Sequence, residues 1–188
     1  QRVQSVCRVD TWAGPNPIYG CMGSNHSAFR CVSARALLVG LALVSCMACA
    51  HPTPPFLDES GAPLRESIAE ETYLEMPGAD EYLLIRGRDR KAPIVLFLHG
   101  GPGGSETALM RAVHVELEDH VVMAYWDQRG AGRSYRSTIS LDTMTISRFL
   151  ADMDDVVDYL RRHLGRERLF LVGHSWGATL SMLYAKQY

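Results

Sequence analysis

The sequence contains no cysteine after Cys49, although the chain runs on to residue 188. Its five cysteines are Cys7, Cys21, Cys31, Cys46 and Cys49. The long remainder therefore has no disulfide framework and no thiolate metal site. This absence excludes the disulfide-rich secreted class and the zinc-finger class for everything beyond residue 49.

The chain also lacks an excess of charge of either sign. Its net charge is −2. The sequence has no basic excess that would indicate binding to nucleic acid, and no acidic tail that would indicate a solvated segment. Hydrophobic residues make up 47% and charged residues 21%, which is ordinary for a globular domain. We expect no cofactor and no partner nucleic acid.

A long hydrophobic run is missing as well. The apolar residues 36–44 are too few to span a bilayer, which takes roughly 20. They follow Arg30 and Arg35 and are typical of a secretory signal peptide. The ending Leu43-Val44-Ser45-Cys46 resembles the lipobox of bacterial lipoproteins, which implies that Cys46 carries lipid and anchors the protein to a membrane. An ordinary cleaved signal peptide and a buried core helix are the alternatives.

These features divide the chain into four regions. Residues 1–33 show no sustained period and are predicted to be disordered or to precede the natural start, for which Met22 is the candidate. Residues 34–49 form the predicted signal peptide with its lipobox. Residues 50–66 are rich in proline and predict an extended tether. Residues 67–188 are predicted to be the folded domain.

Strands and helices alternate in the folded region. Period-2 patterns at 67–76 and 81–87 predict two strands joined by a Pro77-Gly78 turn. Three continuous apolar runs, IVLFL, VVMAYW and RLFLV, predict strands that are buried on both faces. A helical pattern follows each run, at residues 105–120, 146–164 and from Trp176 onward. This order is that of a parallel α/β sheet.

A serine flanked by glycines, Gly173-x-Ser175-x-Gly177, lies between the last strand and the last helix. That context suits a nucleophile elbow, a sharp turn that projects the serine hydroxyl above the sheet. The hydroxyl needs a base to take its proton. No histidine, aspartate or glutamate follows Ser175 in this sequence. In enzymes with such an elbow, the usual order along the chain is nucleophile, acid, histidine.

A glycine loop, residues 99–104 (HGGPGG), follows the run IVLFL. Its backbone N–H groups can stabilise the oxyanion of a tetrahedral intermediate. We predict that the N–H groups of Gly101 and Trp176 form this oxyanion hole, since Pro102 has no N–H. His99 comes too early to be the catalytic histidine. We predict that His99 and His174 instead hold their loops by hydrogen bonds. A plain glycine-rich turn is the alternative.

A third motif, residues 127–134 (DQRGAGRS), follows the run VVMAYW. It lacks the Lys-Ser/Thr pair of a phosphate loop. We predict that its three charged residues brace the loop by pairing; they are Asp127, Arg129 and Arg133. The aspartates of the next helix are predicted to be a solvated face and not a cation site; they are Asp152, Asp154, Asp155 and Asp158.

Together the three motifs resemble the α/β-hydrolase fold, and within it the proline iminopeptidases. The resemblance runs from about residue 68 to 188 and rests on FLHGGPGG, YWDQRGAGRS and LVGHSWGATLSMLYA. It implies that Ser175 is the nucleophile and supports the assignment of Gly101 and Trp176. In that family the acid, the histidine and a cap domain that binds the substrate's amine follow the elbow. We therefore expect residues 67–188 to be the N-terminal half of such a domain, inactive alone.

The resemblance leaves alternatives open. It implies an aminopeptidase that acts on a small peptide through an acyl-enzyme, but esterases and lactonases share these motifs. A catalytically dead, lipid-anchored binding protein is a third hypothesis. Epoxide hydrolases and dehalogenases are disfavoured, because they need a carboxylate where this chain has Ser175. The expected location is the bacterial cell envelope, with a secreted or periplasmic protein as the alternative.

Overall fold

The computed structural model describes residues 53–188. The predicted disordered region at 1–33, the signal peptide at 34–49 and Cys46 lie outside the described residues. Within residues 53–188, no helix is both long enough and apolar enough to cross a bilayer.

A mixed sheet of five strands organises this part of the chain. The strands are β1 (Ile68–Met76), β2 (Ala79–Gly87), β3 (Ile94–Leu98), β4 (Val122–Trp126) and β5 (Phe170–Gly173). Their order across the sheet is β1-β2-β4-β3-β5. β2 is antiparallel to β1 and β4, whereas β3 is parallel to β4 and β5. The predicted α/β class and the antiparallel first hairpin are confirmed.

The helices cover both faces of the sheet. They are α1 (Thr107–His114), α2 (Ile146–Leu164) and α3 (Trp176–Gln187). Side chains of α2 and α3 pack with one face of β3 and β4, where Leu96 is fully buried. The opposite face, with Phe97, packs against Met110 of α1. Because both faces are covered, the strand sequences are continuously apolar instead of alternating.

Local sequence signals explain where two of these elements end. The hairpin turns at Pro77-Gly78, where Gly78 has a φ of +78°, a conformation that suits glycine in a Pro-Gly turn. Helix α2 begins after Thr145, whose side-chain oxygen accepts a hydrogen bond from the N–H of Arg148 at 3.2 Å. It ends at Leu164, and the next residue, Gly165, caps it in the left-handed conformation.

The helix predicted at 105–120 is shorter in the structure. α1 ends at His114, and a tighter 3₁₀ segment, Val115–Asp119, continues the chain. This segment carries Glu118 inward, where its carboxylate is buried and lies 2.7 Å from the guanidinium of Arg86. Pairing of a buried charge therefore takes precedence over continuation of the helix.

The prediction that RLFLV is a buried strand is wrong. β5 is the edge strand of the described sheet, and Phe170 and Val172 are 64% and 47% exposed. Of the run, the alternate residues Leu169 and Leu171 pack against the core and are only partly buried. The reason is topological, since no strand of residues 53–188 pairs with the outer side of β5.

The second part of the predicted tether lies against the domain. The guanidinium of Arg86 on β2 donates to the carbonyl of Pro54 at 2.7 Å and to the hydroxyl of Thr53. The ring of Phe56 stacks 4.6 Å from the same guanidinium. Residues 53–56 therefore differ from an extended spacer, because a buried cation on β2 fixes them.

Candidate active site

The turn between β5 and α3 has the geometry of a nucleophile elbow. Ser175 has φ +50° and ψ −114°, and among the described residues it is the only non-glycine with positive φ. It is exposed, and α3 begins at the next residue. A strained serine at a strand–helix junction is how this fold projects a hydroxyl above the sheet.

Close backbone approach explains the two flanking glycines. A Cβ at Gly173 would overlap the backbone of Gly177, and a Cβ at Gly177 would overlap the carbonyl oxygen of Leu98. The peptide N–H of His174 also donates to that carbonyl at 3.0 Å, which extends the β3–β5 ladder to the elbow. The G-x-S-x-G spacing is therefore a packing requirement of the turn, and not only a sequence signature.

The glycine loop lies directly beside Ser175. A Cβ built on Gly100 would lie 3.4 Å from the Cβ of Ser175. Gly101 follows with a φ of +118°, and its peptide bond to Pro102 is cis. Neither Gly101 N–H nor Trp176 N–H is a donor in the backbone hydrogen bonds found for residues 53–188. The structure thus brings the loop and the serine together, while the oxyanion-hole roles of Gly101 and Trp176 stay predictions.

His99 holds the glycine loop, as predicted. Its ring is buried; Nε2 accepts the backbone N–H of Gln128 at 3.0 Å, and Nδ1 lies 2.7 Å from the carbonyl of Gly100. The side-chain amide of Gln128 also donates a hydrogen bond to the His99 carbonyl at 3.0 Å. Both ring nitrogens are therefore occupied, so His99 is a poor candidate for the base of Ser175.

His174 is bound on its Nδ1 side by a residue that sequence reasoning missed. Nδ1 lies 2.8 Å from Oε1 of Glu106, and the other carboxylate oxygen accepts the N–H of Gly100 at 3.1 Å. Burial raises the pKa of Glu106, but the hydrogen bonds from Gly100 and His174 outweigh it and hold that pKa below its usual value. The position just before a helix was the only signal for Glu106, and many acidic residues share it.

The 127–134 loop is braced at Asp127, but the prediction that Asp127 pairs with the arginines of its own loop is wrong. Its carboxylate accepts from the hydroxyl of Thr107 and the backbone N–H of Arg133, both at 2.8 Å, and from the hydroxyl of Ser105. The Arg133 guanidinium does not pair with Asp127 but reaches Glu71 at 2.9 Å. The loop is therefore fastened to the start of α1, next to the glycine loop.

The prediction for Asp152 is wrong. It is fully buried and accepts two bonds from Arg129, at 2.8 and 3.0 Å, and another from Arg148. Arg129 therefore braces its loop through α2 and not through Asp127. The sequence carried a signal for this: Asp152 lies three residues after Phe149 and four before Val156, on the apolar face of α2.

Glu81 of β2 completes this buried cluster. One oxygen accepts from the indole N–H of Trp126 at 2.8 Å, and the other lies 3.6 Å from Nε of Arg129. Burial, and then the charge of Asp152, raise the pKa of Glu81 to about 9, so it is protonated at neutral pH.

Among residues 53–188, no group of three His, Cys, Asp or Glu side chains is placed to hold a metal ion.

Comparison with known proteins identifies the class. Residues 93–188 match the model of the alpha/beta hydrolase fold family. The chain therefore belongs to that family, in agreement with the mixed sheet and the elbow. The resemblance inferred from the three motifs is confirmed at this level.

Relatives by sequence include proteins that are named as aminopeptidases. The chain is 40% identical over 125 residues to "Probable aminopeptidase YbaC" of Bacillus subtilis, a stretch of 66% of this chain and 39% of that protein. It is 39% identical over 99 residues to the proline iminopeptidase of Xanthomonas citri, covering 53% of this chain and 29% of the relative. The chain thus spans well under half the length of these proteins.

Solved structures agree on the fold. The proline iminopeptidase-related protein of Thermus thermophilus superposes with a TM-score of 0.54 at 29% identity, over 64% of this chain and 41% of its own. The thioesterase domain from the curacin biosynthetic pathway gives a TM-score of 0.51 at 28% identity, over 64% and 42%. An epoxide hydrolase of Vigna radiata gives 0.51 at 25% identity, over 63% and 35%. One architecture therefore serves several hydrolytic chemistries among these neighbours.

Proposed function

We propose that this chain carries the nucleophile and the oxyanion hole of a serine hydrolase, and that the enzyme is an aminopeptidase of the proline iminopeptidase type. The observation that carries the proposal is the exposed, positive-φ Ser175 at the head of α3, packed against a glycine loop. The names of the relatives support the peptidase assignment.

In this mechanism the Ser175 hydroxyl attacks the carbonyl carbon of a substrate's N-terminal residue while a base takes its proton. The carbonyl oxygen becomes an oxyanion, and the N–H groups of Gly101 and Trp176 donate to it. Collapse breaks the peptide bond, and the leaving amine takes the proton. Water then hydrolyses the ester on Ser175 and releases the free amino acid.

We propose that neither the base nor the acid that orients it is among the residues that contact Ser175 in the described part of the chain. His99 has both ring nitrogens occupied, and Nδ1 of His174 is bound to Glu106. The relatives are much longer than the stretch that this chain matches, so their remaining length has room for both groups.

The test is hydrolysis of proline β-naphthylamide by the product of the entire reading frame that contains this chain. Ser175→Ala is expected to lower kcat by about 10⁴-fold or more. Ser137→Ala, an exposed loop serine, is the matched control and should leave the rate unchanged. Equal turnover by wild type and Ser175→Ala would rule the proposal out, and hydrolysis of esters or lactones with no turnover of the amide would favour an esterase or lactonase.

A non-catalytic role is the second candidate. The observation in its favour is that no histidine hydrogen-bonds to Ser175 Oγ among the bonds found for residues 53–188. A fluorophosphonate probe separates the two, since an activated serine is labelled quickly and a dead site is not. Rapid labelling of Ser175 that Ser175→Ala abolishes contradicts the binding-protein hypothesis.

We also propose that the protein is a lipoprotein of the bacterial cell envelope, anchored through Cys46. The support is the lipobox-like sequence that ends at this cysteine. Cys46→Ser is expected to abolish incorporation of labelled palmitate and to move the protein out of the membrane fraction. Cys49→Ser, three residues further on, should change neither. Membrane retention of Cys46→Ser would contradict the anchor.

A further inference from the structure

We propose that Glu106 is a positioning residue that clamps the glycine loop to the nucleophile elbow, an inference that rests on the proposed serine-hydrolase function. Its carboxylate makes one bond to each of the two segments. Oε2 accepts the N–H of Gly100, and Oε1 is bound to the ring of His174, the residue before Ser175.

The location of the carboxylate makes this link short. The point where Gly100 would carry a Cβ lies 3.1 Å from His174 Nδ1, 3.3 Å from Glu106 Oε1 and 3.4 Å from Ser175 Cβ. The carboxylate therefore sits at the contact between loop and elbow, and not at a remote surface. A side chain on Gly100 would crowd this contact, which accounts for glycine at that position.

The hydrogen bonds at Gly100 matter because the end of the glycine loop at Gly103 and Gly104 has few contacts. A Cβ at Gly103 or Gly104 would meet no atom within 4 Å, so this part of the loop lies open. The two peptide groups on either side of Gly100 are held by three side chains, one of which is Gln128 on the His99 carbonyl. Glu106 binds the N–H of Gly100, and His99 binds the carbonyl of Gly100 at 2.7 Å.

These two bonds define where the predicted oxyanion donor points. The carbonyl of Gly100 and the N–H of Gly101 belong to one planar peptide group, so holding the first sets the direction of the second. Without Glu106 the preceding peptide group keeps only the bond from the Gln128 amide to its carbonyl, so the Gly101 N–H is held less firmly in its direction relative to Ser175. Preorganised donors account for a large part of the rate in acyl transfer.

The experiment compares Glu106→Ala with Glu106→Gln. Glutamine keeps an oxygen that can accept from Gly100; its NH2 group replaces the second oxygen and can donate to Nδ1 of the other neutral His174 tautomer, so it is the conservative rescue. Glu116→Ala is the matched control, because Glu116 is an exposed glutamate just after the same helix and lies 3.8 Å from His114. Thermal unfolding of each variant reports any general loss of stability.

The first readout is hydrogen exchange at the Gly100 amide in this chain. Loss of a hydrogen bond to a charged group is expected to speed exchange by about tenfold or more in Glu106→Ala, and by much less in Glu106→Gln. Glu116→Ala should match the wild type. Unchanged exchange at Gly100 in Glu106→Ala would overturn the proposal.

The second readout is the split between kcat and KM for the product of the entire reading frame. Glu106→Ala is expected to lower kcat by about ten- to hundredfold with little change in KM, since oxyanion contacts form only in the transition state. Glu106→Gln should recover most of kcat. Faster exchange with an unchanged kcat, or a loss that glutamine does not rescue, overturns the positioning role. An inactive wild type instead counts against the proposed function itself, before any variant is compared.

Discussion

Asp152 is the residue whose removal is expected to destabilise the domain most clearly. Its carboxylate is fully buried and holds the guanidinium of Arg129 through two bonds of 2.8 and 3.0 Å, while Arg148 approaches to 2.8 Å. Asp152→Ala leaves the buried Arg129 cation without its main partner. Breaking a buried ion pair from one side costs about 3–5 kcal/mol.

Glu81 determines whether Asp152→Ala costs the lower or the upper end of this range of unfolding free energy. Its carboxyl lies 3.6 Å from Nε of Arg129 and is protonated at neutral pH, because burial and the charge of Asp152 raise its pKa to about 9. Removing Asp152 lowers the pKa of Glu81, which can then ionise and pair with Arg129. We therefore expect about 3 kcal/mol for Asp152→Ala. The double variant Glu81→Gln/Asp152→Ala should exceed the sum of the single changes by about 1–2 kcal/mol.

The assay is equilibrium unfolding of the chain in urea, followed by far-ultraviolet circular dichroism at pH 7. Asp155→Ala is the matched control, since Asp155 lies on the same helix with a side chain that is 59% exposed and 3.6 Å from Arg148. It should change the free energy of unfolding by less than about 0.5 kcal/mol. A cost below about 1 kcal/mol for Asp152→Ala would refute the view that this buried pair fastens the loop to α2.

Three further predictions address the pH dependence, the elbow and the sheet edge. Because the folded pKa of Glu81 is raised from 4.5 to about 9, its contribution to stability is complete below pH 4.5 and is lost as the pH rises towards 9. The stability difference between wild type and Glu81→Gln in urea should therefore shrink from pH 5 to pH 9, and a constant difference would contradict the assignment. Gly177→Ala is expected to cost about 1–3 kcal/mol because its Cβ overlaps backbone, whereas Gly104→Ala meets open space and should cost little; equal costs would argue against the close approach. Phe170→Lys on exposed β5 should reduce concentration-dependent association measured by sedimentation, while Leu171→Lys should instead destabilise the fold. A wild-type chain that is monomeric at every concentration would contradict the edge argument.

Local patterns were sufficient to predict most elements of the fold. The Pro77-Gly78 turn follows from the conformations that these two residues prefer, and it fixes the hairpin register around it. The apolar runs of β3 and β4 predicted burial on both faces because helices follow each of them. The elbow was predictable since its glycines, its serine and its flanking elements all lie within a few residues of one another.

The errors concern properties that depend on distant neighbours. β5 is as apolar as β3, yet its exposure depends on whether another strand pairs beside it, and no local pattern encodes that. Arg129 was expected to pair within its own loop, but its partner Asp152 lies 23 residues away on α2. Glu106 was missed for the same reason, because its partner His174 is 68 residues away.

The geometry of the sheet also limits where a base for Ser175 can be. The loops after β3, β4 and β5 leave the same end of three parallel strands, where sites of α/β proteins gather. On the β3 side of Ser175, the glycine loop, His99 and Glu106 fill the space and are bonded to one another. The outer side of β5 is open in the described part of the chain. If Ser175 is the nucleophile proposed above, we therefore expect its base to approach from the open side of the elbow, beyond β5.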